Sequence, residues 1–299
     1  MIHTMHALVE QAKTNTPPTL VVACAADEHV LTAVHKAAEL SIVTPILIGD
    51  KEAIQSLLQS MDITNHYDII DEGDDKAACE KAVRLVHDHP HYVLMKGLVA
   101  TSTILRAALD KEFGLRTRNR ISHVSLIEVP DYPKLLMMSD GAMNIAPTLD
   151  EKRQIIENAV GIAHAIGLEQ PHVGIIGAVE KVNPQMNATL DAEKLVQMNQ
   201  EGTIKNCIVG GPFAIDNAVN KEAALHKGIT DPIAGEVDIL IMPRIEAGNV
   251  FYKTLMFLGK AKSASVIAGA THPIVLTSRA DSAESKLYSI ALAALVVTH

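Results

Sequence analysis

Short apolar runs alternate with helix-length segments along this chain of 299 residues, and that alternation limits its possible folds more than any other feature. The runs are Leu20–Ala25, Pro45–Ile48, Tyr92–Met95, Val124–Val129, Leu135–Met138, Val173–Ile176, Cys207–Val209, Ile239–Met242, Ser265–Ile267 and Ile274–Leu276. Strands that alternate with helices form βαβ units with right-handed crossovers and mostly parallel sheets. The sequence therefore predicts the α/β class.

The length of the chain predicts two domains, because 299 residues with 48% hydrophobic content exceed what one core usually takes. The basic, polar stretch Arg116–Arg120 marks a change of character along the chain. We predict a discontinuous first α/β domain over residues 1–120 and 273–299, and a second over residues 121–272. A cleft between such domains is where a small ligand is expected to bind.

Charge and cysteine content limit the partners and the compartment. The net charge of −9 and the lack of any Lys/Arg run argue against nucleic-acid and membrane-surface partners. The three cysteines form no C-x-x-C pattern, as expected in a reducing compartment. The histidines show no metal-ligand spacing, and no apolar run reaches the roughly 18 residues of a membrane span. We expect a soluble cytoplasmic protein without a metal site.

The segment PIVLTSRADSAESK is the first candidate for chemistry, because an apolar strand runs into a polar turn that opens a helix. Asp281 and Glu284 form a capping signature that predicts a helix over Ser282–Val297. Free backbone N–H groups, the helix dipole, the Ser278 hydroxyl and the Arg279 guanidinium would together favour an anion such as phosphate. The alternative is that Arg279 only forms a surface ion pair.

A second junction of strand, loop and helix is equally rich in donors. Lys96 ends an apolar run, Thr101, Ser102 and Thr103 precede a helix that we predict to extend to Phe113, and Arg106 lies one turn into it. Such donors would hold a phosphate or polarise a carbonyl oxygen. The alternative is that Thr101 or Ser102 is an ordinary N-cap and that Arg106 faces solvent.

Further polar or flexible residues follow other predicted strands, where the crevice of an α/β sheet is expected. These candidate substrate-binding residues are Asp140, Asn144, Glu180, Asn183, Gly248, Asn249 and Lys253. Each of them also fits a structural role in a turn. The chain has no G-x-G-x-x-G fingerprint and no P-loop, which weakens a nucleotide-fold dehydrogenase hypothesis.

Six blocks resemble the phosphate acyltransferase family, which comprises phosphate acetyltransferase and phosphate butyryltransferase. They are KGLVATSTILRAAL, SDGAMNIAPTLDEKRQIIENAV, AVEKVNPQMNATLDAEKL, GGPFAIDNAV, MPRIEAGNVFYK and PIVLTSRADSAESK. AVEKVNP and SRADSAESK resemble the butyryl branch more than the acetyl branch. The resemblance implies reversible acyl transfer between coenzyme A and phosphate, with acyl-CoA, phosphate and acyl phosphate as partners and no tightly bound cofactor. It also implies an isocitrate dehydrogenase-like fold of two α/β domains with a cleft, and a homodimer or higher homo-oligomer.

The resemblance also assigns roles to residues. Ser278 and Arg279 match the Ser-Arg pair of the family's active site, and Arg106 matches an arginine associated with substrate binding. We expect Ser278 to hydrogen-bond the thiol or the carbonyl, and the two arginines to bind phosphate.

The general base departs from the family pattern. In the acetyl branch an aspartate that is credited with deprotonating the CoA thiol stands at the position of Ser285 in this chain. A thiol with a pKa of about 8.5 is mostly protonated near neutrality, so a positioned base helps acyl transfer to it. Glu284 is the expected catalytic carboxylate, with Asp281 as the alternative, although both are also needed for the predicted helix cap.

Three other functions compete with a phosphate butyryltransferase-like enzyme. Phosphate acetyltransferase differs only in the size of the acyl pocket, which discriminates by about 1–3 kcal/mol per methylene. An NAD-dependent decarboxylating dehydrogenase on the same architecture would need a carboxylate cluster for a divalent metal. A non-catalytic sensor of CoA or acyl phosphate would bind without turnover.

Overall fold

The structure is a computed structural model that describes residues 2–278 and 281–297. Its helices and strands, in chain order, are α1 (Met5–Ala12), β1 (Thr19–Ala23), α2 (Glu28–Glu39), β2 (Thr44–Gly49), α3 (Lys51–Ser60), β3 (Asp68–Asp71), α4 (Asp75–His87), β4 (Tyr92–Lys96), α5 (Thr101–Ala108), β5 (Ser122–Glu128), β6 (Leu136–Ser139), α6 (Leu149–Ala165), β7 (His172–Ile176), α7 (Asn187–Gln200), β8 (Ile208–Phe213), α8 (Ile215–Val219), α9 (Lys221–His226), β9 (Ile239–Ile241), α10 (Ile245–Phe257), β10 (Lys262–Ala268), β11 (Ile274–Val275) and α11 (Ala283–Val297).

The chain divides into two compact units, which we describe separately. The terminal unit contains Thr4–Asn119 and Ser263–His299, and the central unit contains Met1–His3 and Arg120–Lys262. The chain thus returns to the terminal unit at Ser263, whereas we placed the domain boundary at residue 273. The domain limits given above stay a prediction.

The sheet of the terminal unit has the strand order β3-β2-β1-β4-β11-β10. Parallel pairs join β1 to β2 and β4, β2 to β3, and β4 to β11, while β10 runs antiparallel to β11. The central unit has the order β5-β6-β9-β7-β8, in which only the β5–β6 pair is antiparallel. The α/β class and the mostly parallel pairing predicted from the sequence are confirmed.

Helix α11 is the core helix of the terminal unit. It contacts α1, α2, β4 and β11, and its residues are buried almost all round. Its apolar sequence follows from that position, because a helix covered on every side has no polar face. Within the described part of the chain, no helix is both long and apolar enough to cross a membrane.

Helix α5 is shorter than predicted. It ends at Ala108, whereas the sequence pattern predicted a helix through Phe113. The carboxylate of Asp110 accepts hydrogen bonds from the backbone N–H groups of Glu112 and Phe113 at 2.8 and 3.3 Å. Because an aspartate side chain competes with the helix for these donors, the chain turns there.

Candidate functional site

The carboxyl ends of three parallel strands meet at one edge of the terminal unit. Ala23 of β1 is in register with Lys96 of β4, and Val275 of β11 is in register with Met95. The loops that follow these strands therefore emerge side by side, as expected for a ligand site in a parallel sheet. A narrow pocket of about 20 Å³, room for about one water molecule, lies between them. Its lining residues are Asp27, Val30, Lys96, Gly97, Leu98, Thr277, Ser278 and Lys286.

Two hydrogen bonds join Ser278 and Asp281. The N–H of Ser278 donates to Asp281 Oδ2 at 2.7 Å, and the N–H of Asp281 donates to the carbonyl of Ser278 at 3.2 Å. Ser278 is exposed. Arg279, the predicted phosphate-binding residue between these two, lies outside the described residues.

The predicted Asp281–Glu284 cap for the following helix is wrong. The carboxylate of Asp281 already bonds Ser278, so the cap is supplied by Ser282, whose hydroxyl accepts from the N–H of Ser285 at 3.1 Å. The exposed Glu284 instead accepts a hydrogen bond from the Tyr288 hydroxyl at 2.5 Å. Glu284 therefore does not cap the helix, a role that would have competed with a role as general base.

Lys286 is a member of this site that the sequence analysis missed. Its side chain is buried, and Nζ donates to the carbonyls of Ser278 and Asp281 at 3.3 and 2.6 Å. Burial lowers the pKa of the Lys286 ammonium, and the carboxylates of Asp281 and Asp27 oppose that shift. The sequence contains one signal for Lys286. The helix dipole disfavours a cation near the N-terminus of a helix, so a lysine at that position needs hydrogen-bond acceptors close by.

Lys96 has a comparable arrangement at the end of β4. Its buried ammonium donates to the carbonyls of Gly97 and Val99 at 3.0 and 3.2 Å. Gly97 passes so close to β1 that a Cβ would lie 2.1 Å from the carbonyl oxygen of Cys24. The structure therefore brings Lys96 together with Ser278 and Lys286 in one pocket, where Asp27 supplies a carboxylate.

The start of α5 offers unused donors. The N-cap position is Ala100, which has no side-chain oxygen, so the alternative that Thr101 or Ser102 caps this helix does not hold. Thr101 and Ser102 are exposed and Thr103 is half-buried. Arg106 is exposed, and no carboxylate of the described residues forms an ion pair with it. An uncapped N-terminus with exposed hydroxyls is suited to an anion.

In the central unit, Asp140 and Asn144 support one loop. Asp140 accepts hydrogen bonds from the N–H groups of Ala142 and Met143, and Asn144 donates to its other oxygen at 2.6 Å. Arg120 in turn donates to the side-chain oxygen of Asn144 at 2.7 Å. The side chains of Asp140 and Asn144 are buried, so their hydrogen bonds stabilise the conformation of the loop.

Gly248 and Asn249 hold helix α10 against that loop. A Cβ at Gly248 would lie 2.5 Å from the carbonyl oxygen of Asp140, so only glycine allows this approach. The side chain of Asn249 donates to the carbonyl of Gly141 at 3.2 Å. Lys253, one turn further along, is exposed.

Glu180 and Asn183 lie in the loop that precedes α7. Glu180 pairs with Lys227 at 3.7 Å. Asn183 accepts from the N–H of Gln185 through its side chain, and its own N–H donates to the Thr189 hydroxyl, both at 2.9 Å. The predicted site residues thus fall into two sets, one in each unit.

The cysteines are buried, and the described residues form no metal-binding cluster. Cys24, Cys79 and Cys207 are free and buried, and burial raises the pKa of the Cys207 thiol to about 11. Over residues 2–278 and 281–297, no group of three or more His, Cys, Asp or Glu side chains is arranged to hold a metal ion.

Comparison with known proteins identifies the family. The family described as "Phosphate acetyl/butaryl transferase" matches residues 75–294. The phosphate butyryltransferase of Clostridium acetobutylicum is 46% identical over 298 residues, which cover 99% of this chain and 99% of that protein. The phosphate acetyltransferase of Thermotoga maritima is also 46% identical, over 292 residues that cover 97% and 99%.

A solved structure gives the same result. The branched-chain phosphotransacylase from Enterococcus faecalis V583 matches with a TM-score of 0.83 and 32% identity, covering 94% of this chain and 99% of that one. The sequence and the structure therefore agree over nearly the whole length. This chain belongs to the phosphate acetyl/butyryl transferase family.

Proposed function

We propose that this protein is an acyltransferase that converts a short-chain acyl-CoA and phosphate into acyl phosphate and CoA, and catalyses the reverse reaction. Full-length similarity to transferases of this type carries the proposal. The donors gathered where β1, β4 and β11 end support it, because the reaction needs a site for phosphate.

Phosphate would bind between the start of α5 and the Ser278–Asp281 segment. The exposed hydroxyls of Thr101 and Ser102 provide one side of such a site, together with the guanidinium of Arg106, which forms no ion pair with any described residue. Arg279, which lies outside the described residues, is proposed as the second cationic group. Two cationic groups and a helix N-terminus balance the charge of the phosphate in a protein whose overall net charge is −9.

The proposed chemistry is direct transfer in a ternary complex, without a covalent acyl-enzyme. A phosphate oxygen attacks the thioester carbonyl carbon, the new C–O bond forms, and the C–S bond breaks to release the CoA thiolate, which takes up a proton. Arg279 and Arg106 orient the phosphate and stabilise the developing oxyanion, and Ser278 donates a hydrogen bond to the carbonyl or the thiol. In the reverse direction a carboxylate, which we assign to Glu284, removes the thiol proton.

The acyl group is proposed to be butyryl or a branched short chain, with acetyl as the second candidate. A phosphate butyryltransferase and a phosphate acetyltransferase are equally similar to this chain at 46% identity, so overall similarity does not separate the two. The segments AVEKVNP and SRADSAESK favour the butyryl type. CoA serves as a substrate and no cofactor is tightly bound. We further propose a cytoplasmic homodimer or larger homo-oligomer, with no nucleic-acid or membrane partner.

For the central unit, we propose that the substrate-binding candidates act in two ways. Asp140, Asn144, Gly248 and Asn249 hold the loop and helix in place, as their mutual contacts suggest. Exposed Lys253 is the candidate for direct contact with the phosphate groups of CoA. Glu180 and Asn183 stabilise the loop that precedes α7 through their contacts with Lys227 and Thr189.

The test is phosphate-dependent release of CoA from acetyl-, butyryl-, isobutyryl- and isovaleryl-CoA, followed with a thiol reagent. Buried Cys24, Cys79 and Cys207 leave the reagent little protein thiol to titrate. Arg279→Ala should raise the KM for phosphate and lower the rate by about 10³-fold, because it removes a charge that stabilises the transition state. Arg153→Ala is the control, since Asp150 and Glu157 occupy that guanidinium.

The outcomes separate the candidates. Release that requires phosphate and peaks at four or five carbons supports the butyryl type, and a peak at acetyl moves the assignment to the sister enzyme. No release with any acyl group contradicts the transferase function. Reduction of NAD with a hydroxy acid, or CoA binding without turnover, would then indicate the dehydrogenase or the sensor.

A further inference from the structure

Leu98 is a large apolar side chain that the terminal unit leaves exposed beside the narrow pocket at the ends of β1, β4 and β11, the strand-end pocket. Among the described residues of this unit, Leu98 and Leu109 are the exposed large apolar side chains, at 46% and 37%. Leu109 is the C-cap residue of α5. Of the two, only Leu98 lines the strand-end pocket.

The backbone around Leu98 is fixed although its side chain is exposed. The N–H of Leu98 donates to the carbonyl of Cys24 at 2.8 Å, which attaches the loop to the end of β1. The carbonyls of the two neighbours, Gly97 and Val99, accept hydrogen bonds from the buried ammonium of Lys96 at 3.0 and 3.2 Å. Leu98 is therefore held at a defined place on the surface, as a residue that selects a ligand needs to be.

The surroundings of Leu98 distinguish it from an ordinary surface leucine. Single exposed apolar side chains are common, so exposure alone assigns no role. Leu98, however, shares the strand-end pocket with Lys96 and Ser278 and precedes the exposed hydroxyls of Thr101 and Ser102. An apolar contact thus lies next to hydrogen-bond donors for an anion. An acyl phosphate has the same two parts, because its apolar chain is joined to the phosphate through one carbonyl group.

The size of the strand-end pocket decides where such a chain can lie. Its volume of about 20 Å³ holds about one water molecule, and the carbons of a butyryl chain need more room. The chain therefore cannot enter the pocket and has to lie across its mouth. Leu98 is the large apolar side chain that is exposed there.

We infer that Leu98 contacts the acyl chain of the substrate and helps to select its length. The inference rests on the proposed function and names a residue for its least determined part, the acyl group. Contact with Leu98 removes apolar surface of the chain from water, and a longer chain has more surface to remove. Leu98 should therefore favour butyryl over acetyl without acting on the phosphate or on the part of CoA that all acyl-CoA substrates share.

The first test is Leu98→Ala, assayed by phosphate-dependent CoA release from acetyl-, propionyl- and butyryl-CoA. The ratio of kcat/KM for butyryl-CoA to that for acetyl-CoA should fall by about 10-fold, the lower end of the effect of one methylene, because Leu98 covers only one side of the chain. Propionyl-CoA should show an intermediate loss, and kcat/KM for acetyl-CoA should stay within about twofold. A merely structural role would lower all three rates equally and leave the ratio unchanged.

The matched control is Leu109→Ala, at the other exposed leucine of the terminal unit. It removes the same atoms from a residue that does not line the strand-end pocket, so its ratio should equal that of the wild type. Leu98→Asn is the second variant, because it keeps a branched side chain of similar size and replaces the apolar groups by an amide. The ratio should fall in Leu98→Asn as well, since the contact depends on apolar surface.

Each outcome supports or overturns the inference. If the wild-type protein releases no CoA from any acyl-CoA, the proposed function and the inference both fail. If the wild type is active and the ratio in Leu98→Ala is unchanged or higher, the role of Leu98 is overturned while the transferase function stands. An equal fall in Leu109→Ala would overturn it too, because the effect would then not depend on the pocket. A fall confined to the two Leu98 variants supports it, whichever acyl group the wild type prefers.

Discussion

Glu284 and Asp281 are the two carboxylates next to Ser278 in the sequence, and they have different tasks. Asp281 accepts a hydrogen bond from the N–H of Ser278 at 2.7 Å. Glu284 is exposed and accepts a hydrogen bond from the Tyr288 hydroxyl at 2.5 Å. Glu284 is therefore the better candidate to receive a proton from the CoA thiol.

Replacing Glu284 tests this assignment. Glu284→Gln should lower the kcat for CoA acylation by acyl phosphate about 100-fold and leave the KM for acyl phosphate unchanged, because an amide cannot accept the thiol proton. The measurement is the rate as a function of pH in this direction. Tyr288→Phe is the control, since it removes only the hydroxyl bonded to Glu284. A wild-type rate and pH profile in Glu284→Gln would move the role of base to another group.

The residue types alone predict the exposed members of the site better than the buried one. Ser278 and Arg106 follow from the pattern because hydroxyls and guanidiniums beside a helix start are the usual groups for an anion. For Lys286 the sequence gives only a weak signal, the unfavourable place of a cation near a helix start, and a solvated side chain is the simpler interpretation. Only the folded turn shows that two carbonyls point at its ammonium.

The loop between β4 and α5 depends on a single glycine. Gly97 donates to the carbonyl of Ala23 at 2.8 Å, and the next N–H, of Leu98, donates to the carbonyl of Cys24 at the same distance. A Cβ at Gly97 would lie 2.1 Å from that oxygen of Cys24. Because both partners are backbone, neither can move without displacing β1.

Gly97→Ala should therefore destabilise the protein by about 3 kcal/mol, which is the upper end of the usual overpacking cost. It should also lower the activity, since the same loop leads into the proposed phosphate site. Urea unfolding measures the free energy difference. The control is Gly73→Ala, where a Cβ would have nothing within 4 Å. Equal stability of both variants would show that the loop relaxes freely.

At the scale of elements, the apolar strands could be predicted, including the edge strand β8, whereas the polar edge strand β3 could not. Runs such as Tyr92–Met95 are apolar throughout because helices cover both faces of a parallel sheet. Strand β3, whose sequence is DIID, was not predicted, since it has only two apolar residues and is at most half-buried. Helix ends were also less predictable: Asp110 ends α5 early, and Ser282 replaces Asp281 as a cap, because several polar side chains compete for the same N–H groups.

The molecule as a whole is acidic, but the pocket at the strand ends is lined by two lysines. The net charge is −9, whereas the pocket at the ends of β1 and β4 contains two ammonium groups and one carboxylate. A local cationic site in an acidic protein attracts phosphate through short-range contacts more than through the overall field. The composition predicts that nucleic acid is not a partner, whereas only the folded structure shows the two lysines together in this pocket.

The stability of the folded protein should depend on pH through a buried histidine. His272 is buried between β10 and β11, with Nε2 at 3.2 Å from the carbonyl of His89 and Nδ1 at 2.9 Å from the Thr271 hydroxyl. The neutral ring satisfies both contacts by donating through Nε2 and accepting at Nδ1. Burial lowers the pKa of His272 below its ordinary 6.5, the contact with His89 opposes this shift, and nearby His87 adds to it.

This shift sets the direction of the pH dependence. Between the lowered pKa and 6.5 the unfolded chain binds more protons at this site than the folded protein. The free energy of unfolding should therefore fall as the pH drops through 6.5, by up to about 1.4 kcal/mol per pH unit, and level off below the folded pKa.

Urea unfolding at about pH 7.5 and about pH 5.5 measures the loss. His272→Gln keeps a hydrogen-bond donor but cannot titrate in this range, so it should lose less stability than the wild type between the two pH values. The control is His66→Gln at an exposed histidine, which should lose as much stability as the wild type. An identical loss in His272→Gln and the wild type would assign the acid sensitivity to other groups.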